Sequence, residues 1–342
     1  MIVDLRSDTV TKPTEAMRKA MYEAKVGDDV FGDDPTINEL ERLAAETLGK
    51  QAALLVPSGT MGNLLALMTH TTPGQELIVG KSAHIHIFEV SGYARICGLG
   101  TKIMTEIDGK MSAQEIKENI ITKENIHHFS TGLICVENTH NVAGGIVKDL
   151  DHMSKIKKVA EESGISVHLD GARIFNAATY LGVKVSEIAQ HADSVMMCLS
   201  KGLGAPVGSI LAGSKAFIDK ARHNRKMLGG GMRQAGILAA AGIVALKTMP
   251  QILKTDHVNA RYLASNLKGI NGFDIDIDKV HTNIVMATIT HKEKTAYDIA
   301  DELTKQGILT SPFTNDKLRF TTNHHVTKSD IDYVVKKVVE IK

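Results

Sequence analysis

The feature that most narrows the fold of this chain is an alternation along its first two thirds, in which short apolar runs of strand length are separated by longer stretches with helical spacing. The runs lie at residues 52–56, 77–79, 133–137, 166–170, 194–198 and 209–212, and the helical stretches at residues 36–48, 61–70, 113–121 and 150–163. A strand followed by a helix, repeated, predicts an α/β domain on a mostly parallel central sheet. Strands apolar on both sides predict a sheet flanked by helices on both faces. Pro35 and Thr36 precede Ile37, Leu40, Leu43 and Leu48 at helical spacing, and Gly49 follows, which are the start and stop signals of a packing helix.

From about Met249 the pattern changes. A long polar helix is predicted at residues 251–267, strands near 272–277, 283–289 and 317–322, a helix at 295–306 and a last helix from Ser329. Such segregation describes a small α+β unit packed beside the large sheet. The chain therefore divides into residues 1–248 and 249–342, with residues 1–15 able to pack on the smaller part; a length of 342 residues agrees with two domains.

Composition excludes several partners. Lys and Arg number 40 against 39 Asp and Glu, a net charge of +1 with no long stretch of one sign. The footprint of a nucleic-acid or anionic-membrane binder is missing, and a small molecule is the expected partner. Cys97, Cys135 and Cys198 are odd in number and far apart, each within an apolar run, and read as reduced core thiols rather than zinc ligands. The opening MIVDLRSDTV lacks an apolar signal core, and no window approaches the roughly 18 apolar residues of a membrane span, so the cytoplasm is the expected location.

The most informative stretch runs from Val167 to Arg173, an apolar strand ending in Asp170. Ser200-Lys201-Gly202-Leu203-Gly204 follows at the end of the next strand. Ligands of open α/β sheets bind outside the carboxyl ends of strands, so Asp170 and Lys201 can converge on one pocket. Taken singly they read equally well as a capping Asp and a surface Lys. Together they suit one cofactor, because a lysine amine forms a Schiff base with an aldehyde and a carboxylate keeps a pyridine nitrogen protonated. At about 4 Å and an effective dielectric near 20, such a pair gains about 4 kcal/mol.

A phosphate needs a cradle. The strand-turn-helix Val56-Pro57-Ser58-Gly59-Thr60-Met61-Gly62-Asn63 offers one, with Gly59 for close backbone approach and the Thr60 hydroxyl as a further donor. It matches neither a Walker loop nor G-x-G-x-x-G. His84 and His86 can stack on a ring or move a proton, as can His127 and His128, since an imidazole titrates near neutral pH. Glu137-Asn138-Thr139-His140-Asn141 also follows an apolar strand. The acidic loop Gly27 to Asp34 does not match a calcium-loop spacing and reads as a solvated turn, so no metal is assigned. Arg225, Lys226 and Arg233 flank a triple glycine and can reach a phosphate in this subunit or another, or be solvated. Arg319, an isolated cation in apolar company, points to a carboxylate partner.

The segments DLRSDTVTKPT, VGDDVFGDDP, VPSGTMGNLLAL, SAHIHIFE, ENTHN, HLDGARIFNA, CLSKGLGAPVGS and RKMLGGGMRQAGILAAAG, spread over about Asp4 to Gly242, resemble those of the L-threonine aldolases. The likeness is to the low-specificity and L-allo-threonine types, enzymes of PLP fold type I, the aspartate-aminotransferase fold. It implies pyridoxal 5'-phosphate (PLP) joined covalently to Lys201, with Asp170 on the pyridine nitrogen, Gly59 and Thr60 on the phosphate and His84 stacked on the ring. It further implies that Ser7, Arg173 and Arg319 bind the substrate carboxylate, that His84 and His128 lie near the β-hydroxyl, and that Lys226 and Arg233 reach the phosphate region across an interface of a dimer-based homotetramer. The implied reaction is retro-aldol cleavage of L-threonine or L-allo-threonine to glycine and acetaldehyde. Other fold type I reactions compete with it: β-elimination, serine hydroxymethyl transfer and transamination. A catalytically silent metabolite-binding module on the same scaffold is the remaining alternative. The chain departs from the family pattern at Val142-Ala143-Gly144-Gly145 and at Thr322-Asn323.

Overall fold

The computed structural model describes residues 2–122 and 126–341. Seven strands form the central sheet: β1 (Ala52–Val56), β2 (Glu76–Gly80), β3 (Gly100–Met104), β4 (Thr131–Glu137), β5 (Ser166–Asp170), β6 (Ser194–Cys198) and β7 (Ser209–Gly213). Their spatial order is β1-β7-β6-β5-β4-β2-β3. Only β7 runs antiparallel to its neighbours, pairing Ser209 with Val56 on one side and with Cys198 on the other. All other neighbours are parallel. The six predicted runs are thus all strands of one sheet. The seventh, β3, is an edge strand exposed along much of its length, and so carries no continuous apolar run.

Helices cover both faces, which is why β2, β6 and β7 are buried at every position. The Pro35–Leu48 helix starts as its signals predict: Asp34 accepts N–H bonds from Thr36 and Ile37, Pro35 occupies the first turn, and Gly49 closes the end with a left-handed φ of 64°. Here one expectation is corrected. The acidic loop is solvated only in part: Val30 to Asp33 are exposed, but Asp29 and Asp34 are buried. Asp29 pairs with Arg225, and Asp34 also accepts from the N–H groups of Gly27 and Gly236. Spaced acids in sequence gave no sign that cations and N–H donors some two hundred residues on would enclose them.

A second apolar core joins the Leu253–Leu267, Ala296–Lys305 and Lys328–Val339 helices to a four-stranded antiparallel sheet. Its strands are β8 (Phe273–Asp274), β9 (Ile284–Ile289), β10 (Ser311–Thr314) and β11 (Lys317–Thr321), in the order β8-β9-β11-β10. Val3 and Leu5 belong to this core, and Val3–Asp4 pairs in parallel with Ile308–Leu309. The N-terminal segment therefore packs on C-terminal residues before entering the large sheet's neighbourhood. No single described helix is long and apolar enough to cross a membrane. Cys97, Cys135 and Cys198 are all buried and unbridged.

Candidate active site

Because β1 and β6 are both antiparallel to β7, they run in the same direction as β2, β4 and β5, and the carboxyl ends of all five strands share one edge. Five segments leave that edge. After β1, Ser58 caps the Gly59–His70 helix, its Oγ accepting from the Met61 N–H at 3.2 Å. Gly59 and Thr60 thereby occupy a first turn whose N–H groups have no partner within the helix. A Cβ on Gly59 would lie 3.0 Å from Cys198 Sγ, so the helix start is seated tightly on β6. After β2, His84 opens a short helix. After β4 comes Asn141, Asp170 ends β5 and Arg173 follows it, and three residues beyond β6 comes Lys201.

A cavity of about 420 Å³ opens at this edge and is lined by Ser7, His84, Asn141, Arg173, Lys201 and Arg319, with Phe88 and Phe313 as its aromatic walls. Asp170 does not line it but lies beside His84, their side-chain ligand atoms within 4.8 Å, and accepts N–H bonds from Ala172 (3.1 Å) and Asn63 (2.9 Å). The turn that carries Lys201 is pinned at its own carbonyl, which accepts from the Gly204 N–H at 2.8 Å and the Thr11 hydroxyl at 3.0 Å.

The two arginines differ in what they leave open. Arg173 is buried and forks onto Asp8, with Nε–Oδ2 at 2.8 Å and Nη2–Oδ1 at 2.7 Å. Burial opposes ionisation of Asp8, but the charge and hydrogen bond of Arg173 overcome it, together with the more distant charge of Lys201, and hold the carboxyl at about 2. Arg319 has no acidic partner among the described residues. Its Nη1 donates to Asn141 Oδ1 and its Nη2 to the Arg6 carbonyl, both at 3.0 Å, while its guanidinium lies 4.6 Å from the centre of the Phe313 ring. Burial and then the charge of Arg173 pull it down to about 10. A buried cation facing a cavity without a counter-charge is an anion site.

His84 is held at two points. Its backbone N–H donates to Glu137 Oε2 and its ring Nδ1 to Glu89 Oε1, at 2.7 and 2.8 Å. Burial alone would lower its proton affinity, but the Glu89 hydrogen bond and the charges of Asp170 and Glu89 outweigh burial and raise it above the ordinary histidine value. With Nδ1 engaged, Nε2 is the nitrogen left to exchange a proton.

Among the residues singled out from sequence, the chain brings Ser7, His84, Arg173, Lys201 and Arg319 to one cavity, with Asp170 beside His84. Gly59 stands at a helix start, and Thr60 lines a separate cavity that Glu89 also lines. His128 is exposed and does not line the cavity. Lys226 and Arg233 are also away from it, and Arg233 pairs with Asp28 at 3.0 Å. Sequence reasoning gave no role to Asp8, Asn63, Glu89 or Asn141. Their one advance signal was adjacency, since Asp8 follows Ser7, Glu89 closes the motif begun by His84 and Asn141 ends ENTHN.

Comparison with known proteins places this site in context. Residues 4–292 match the family model described as Beta-eliminating lyase. The chain is 46% identical over 337 residues to the probable low-specificity L-threonine aldolase 2 of Arabidopsis thaliana, covering 97% of this chain and 95% of that protein. Its fold superposes on the threonine aldolase of Leishmania major with a TM-score of 0.84 at 20% identity, covering 98% of each chain. It also superposes on SPT with PLP, with a TM-score of 0.78 at 18% identity over 99% of this chain and 87% of that one.

Proposed function

This chain belongs to the Beta-eliminating lyase family and has the PLP fold type I architecture, and on that footing we propose that it is an aldehyde-lyase that cleaves the Cα–Cβ bond of L-threonine and L-allo-threonine, giving glycine and acetaldehyde, with pyridoxal 5'-phosphate as cofactor. The observation that carries this reading is that Lys201 and Arg319 line one cavity, Arg319 without an acidic partner among the described residues, while Asp170, the last residue of the neighbouring strand, lies beside His84 of the same cavity. An amine, a carboxylate, an imidazole and a helix N-terminus are the donor set the cofactor requires.

Lys201 would bond covalently to the cofactor's aldehyde carbon, with Asp170 on its ring nitrogen. Gly59 and Thr60 would present N–H groups to its phosphate, joined by Lys226 and Arg233 from a neighbouring subunit of a dimer-based homotetramer. Bound there, the cofactor supplies an electron sink for the pair left on Cα when the carbon–carbon bond breaks. Arg319 binds the substrate carboxylate, oriented by Asn141 and Phe313, with Ser7 and Arg173, whose Nη1 reaches the same Asn141 Oδ1 at 3.5 Å, alongside. His84 takes the β-hydroxyl proton at Nε2, a task its raised proton affinity suits. His128 would have to approach from outside this chain's cavity to share that role. Residues 1–248 and 249–342 would form its two domains, in a cytoplasmic enzyme.

The test is product analysis. Purified protein incubated with PLP and L-threonine, with no keto-acid acceptor, is expected to release glycine and acetaldehyde in equal amounts. Lys201→Ala is expected to lose turnover by at least about a thousandfold, as removal of a covalent catalyst does. Ammonia with 2-oxobutanoate would instead indicate elimination, the reaction that the family's description names.

A further inference from the structure

A run of buried polar groups leads away from the cavity into the sheet, and the function above uses only its first members. Glu89 and Asp170 lie side by side: together with His84, their ligand atoms fall within 4.8 Å of one another. Two carboxylates so close repel unless something donates to both. Asn63, fully buried on the Gly59–His70 helix, does so, its Nδ2 donating to Glu89 Oε1 at 2.7 Å and to Asp170 Oδ2 at 2.9 Å.

The amide can perform this task in one orientation only. Its Oδ1 must then turn away from the carboxylates, and it meets His168 Nε2 at 3.0 Å. His168 precedes Asp170 by two on β5, so period-two alternation sets both on the same face beneath Asn63. Because Oδ1 can only accept, His168 must carry its proton on Nε2, leaving Nδ1 as an acceptor. The Ser194 Oγ, 2.8 Å from that Nδ1, must donate to it. Ser194 must in turn accept from His70 Nε2, also at 2.8 Å. His70 stands at the other end of the helix that carries Asn63 and stacks on Phe217 with ring centres 4.5 Å apart. Burial, the leading cause in each, pulls His168 to about 3 and His70 to about 4, so both rings remain neutral and able to hold these tautomers.

We propose that Asn63 is a positioning residue of the active site, its amide turned by the chain His70–Ser194–His168 so that one NH₂ group holds Glu89 and Asp170 in place for His84 and for the cofactor ring. This rests on the PLP reading above, and it adds that the carboxylates' alignment is set from the other end of the helix that carries Asn63. Asn63→Asp is the direct probe, because it keeps the shape and leaves an oxygen for His168 but removes the shared donor.

Two measurements test it. In purified protein labelled with ¹⁵N-histidine, with PLP added, His168 is expected as the neutral Nε2-protonated tautomer, assigned by loss of its signals in His168→Gln. A proton on Nδ1 would overturn the proposal. Asn63→Asp is expected to bind PLP at least about tenfold more weakly than wild type and to lower kcat for L-threonine at least about tenfold, with KM held within about twofold and an unchanged circular dichroism spectrum. Wild-type PLP affinity and kcat in that variant would also overturn it. If Asn63→Asp does not fold, Ser194→Ala is read instead: the ¹⁵N signal of His168 Nδ1 should shift on losing its donor and PLP affinity should fall about threefold, and no change in either would count against the relay. Failure of wild type to bind PLP would overturn the cofactor reading alone, since the tautomer is still read in the same sample.

Discussion

At the residue scale, the site depends on a buried ion pair that does no chemistry of its own. Asp8 and Arg173 are both almost fully enclosed, and removing one charge strands the other. Asp8→Asn is therefore expected to destabilise the fold by about 3–5 kcal/mol, measured by denaturant unfolding at pH 7. The acid dependence follows from the same pair. The folded-state value of about 2 lies below the usual 3.8, so Asp8 contributes stability above about pH 4 and loses it as the pH falls toward 2. That contribution is about 2 kcal/mol, and its loss between those pH values should be absent from Asp8→Asn. Glu89 acts on His84 in the opposite sense. Glu89→Gln removes a charge and a charged acceptor that raise the imidazole's proton affinity, so the NMR titration of His84 should move to lower pH, and so should the rising limb of kcat/KM, because the base form is the neutral one. An unmoved titration would separate Glu89 from His84. Lys201 and Asp170 were legible in sequence because their chemistry demands those residue types at strand ends. Asp8 was not, since nothing in the sequence marks its partner 165 residues away.

At the element scale, the strands were legible because burial on both faces leaves an unbroken apolar run, as in β6 and β7. The Ile174–Leu181 helix was missed, being short and continuous with the HLDGARIFNA motif, which drew the reading toward chemistry. The Lys215–Met227 helix was missed because most of its residues are polar and its apolar face is narrow. The turn after β6 shows how an element sets a site. Gly204 has a φ of 73°, its N–H closes the turn onto the Lys201 carbonyl, and a Cβ there would lie 3.0 Å from the His324 ring. Gly204→Ala is expected to cost about 1–2 kcal/mol from the left-handed backbone alone. It should also weaken PLP binding by displacing Lys201, and an unchanged melting temperature together with unchanged PLP affinity would show that the turn tolerates a side chain.

At the scale of the whole molecule, the cavity is built from distant parts of the chain. Residues 2–11 run from the C-terminal core, where Val3 pairs with Ile308, to the carbonyl of Lys201 that accepts from Thr11. Asn283, entering β9, donates to Asp8 and to the Thr322 carbonyl, and accepts from Asn176 of the large sheet's layer. Yet one chain leaves two of the predicted phosphate ligands outside the cavity. Lys226 and Arg233 are exposed, beside the exposed Val30, Phe31 and Met227. Apolar side chains grouped around exposed cations, one of them held by Asp28, are what a subunit interface presents before it forms. If those cations complete a neighbour's site, two separately inactive variants must rescue each other. Lys201→Ala and Arg233→Ala chains, mixed in equal amounts and reassembled, would place one intact lysine and one intact arginine in one site of every hybrid dimer. With random pairing about a quarter of all sites would then be whole, so about a quarter of wild-type activity should return. Activity no greater than the average of the two parents would show that Arg233 serves its own chain or none. The mass of the particle, read by light scattering against the 37.0 kDa chain, distinguishes failed reassembly from failed complementation.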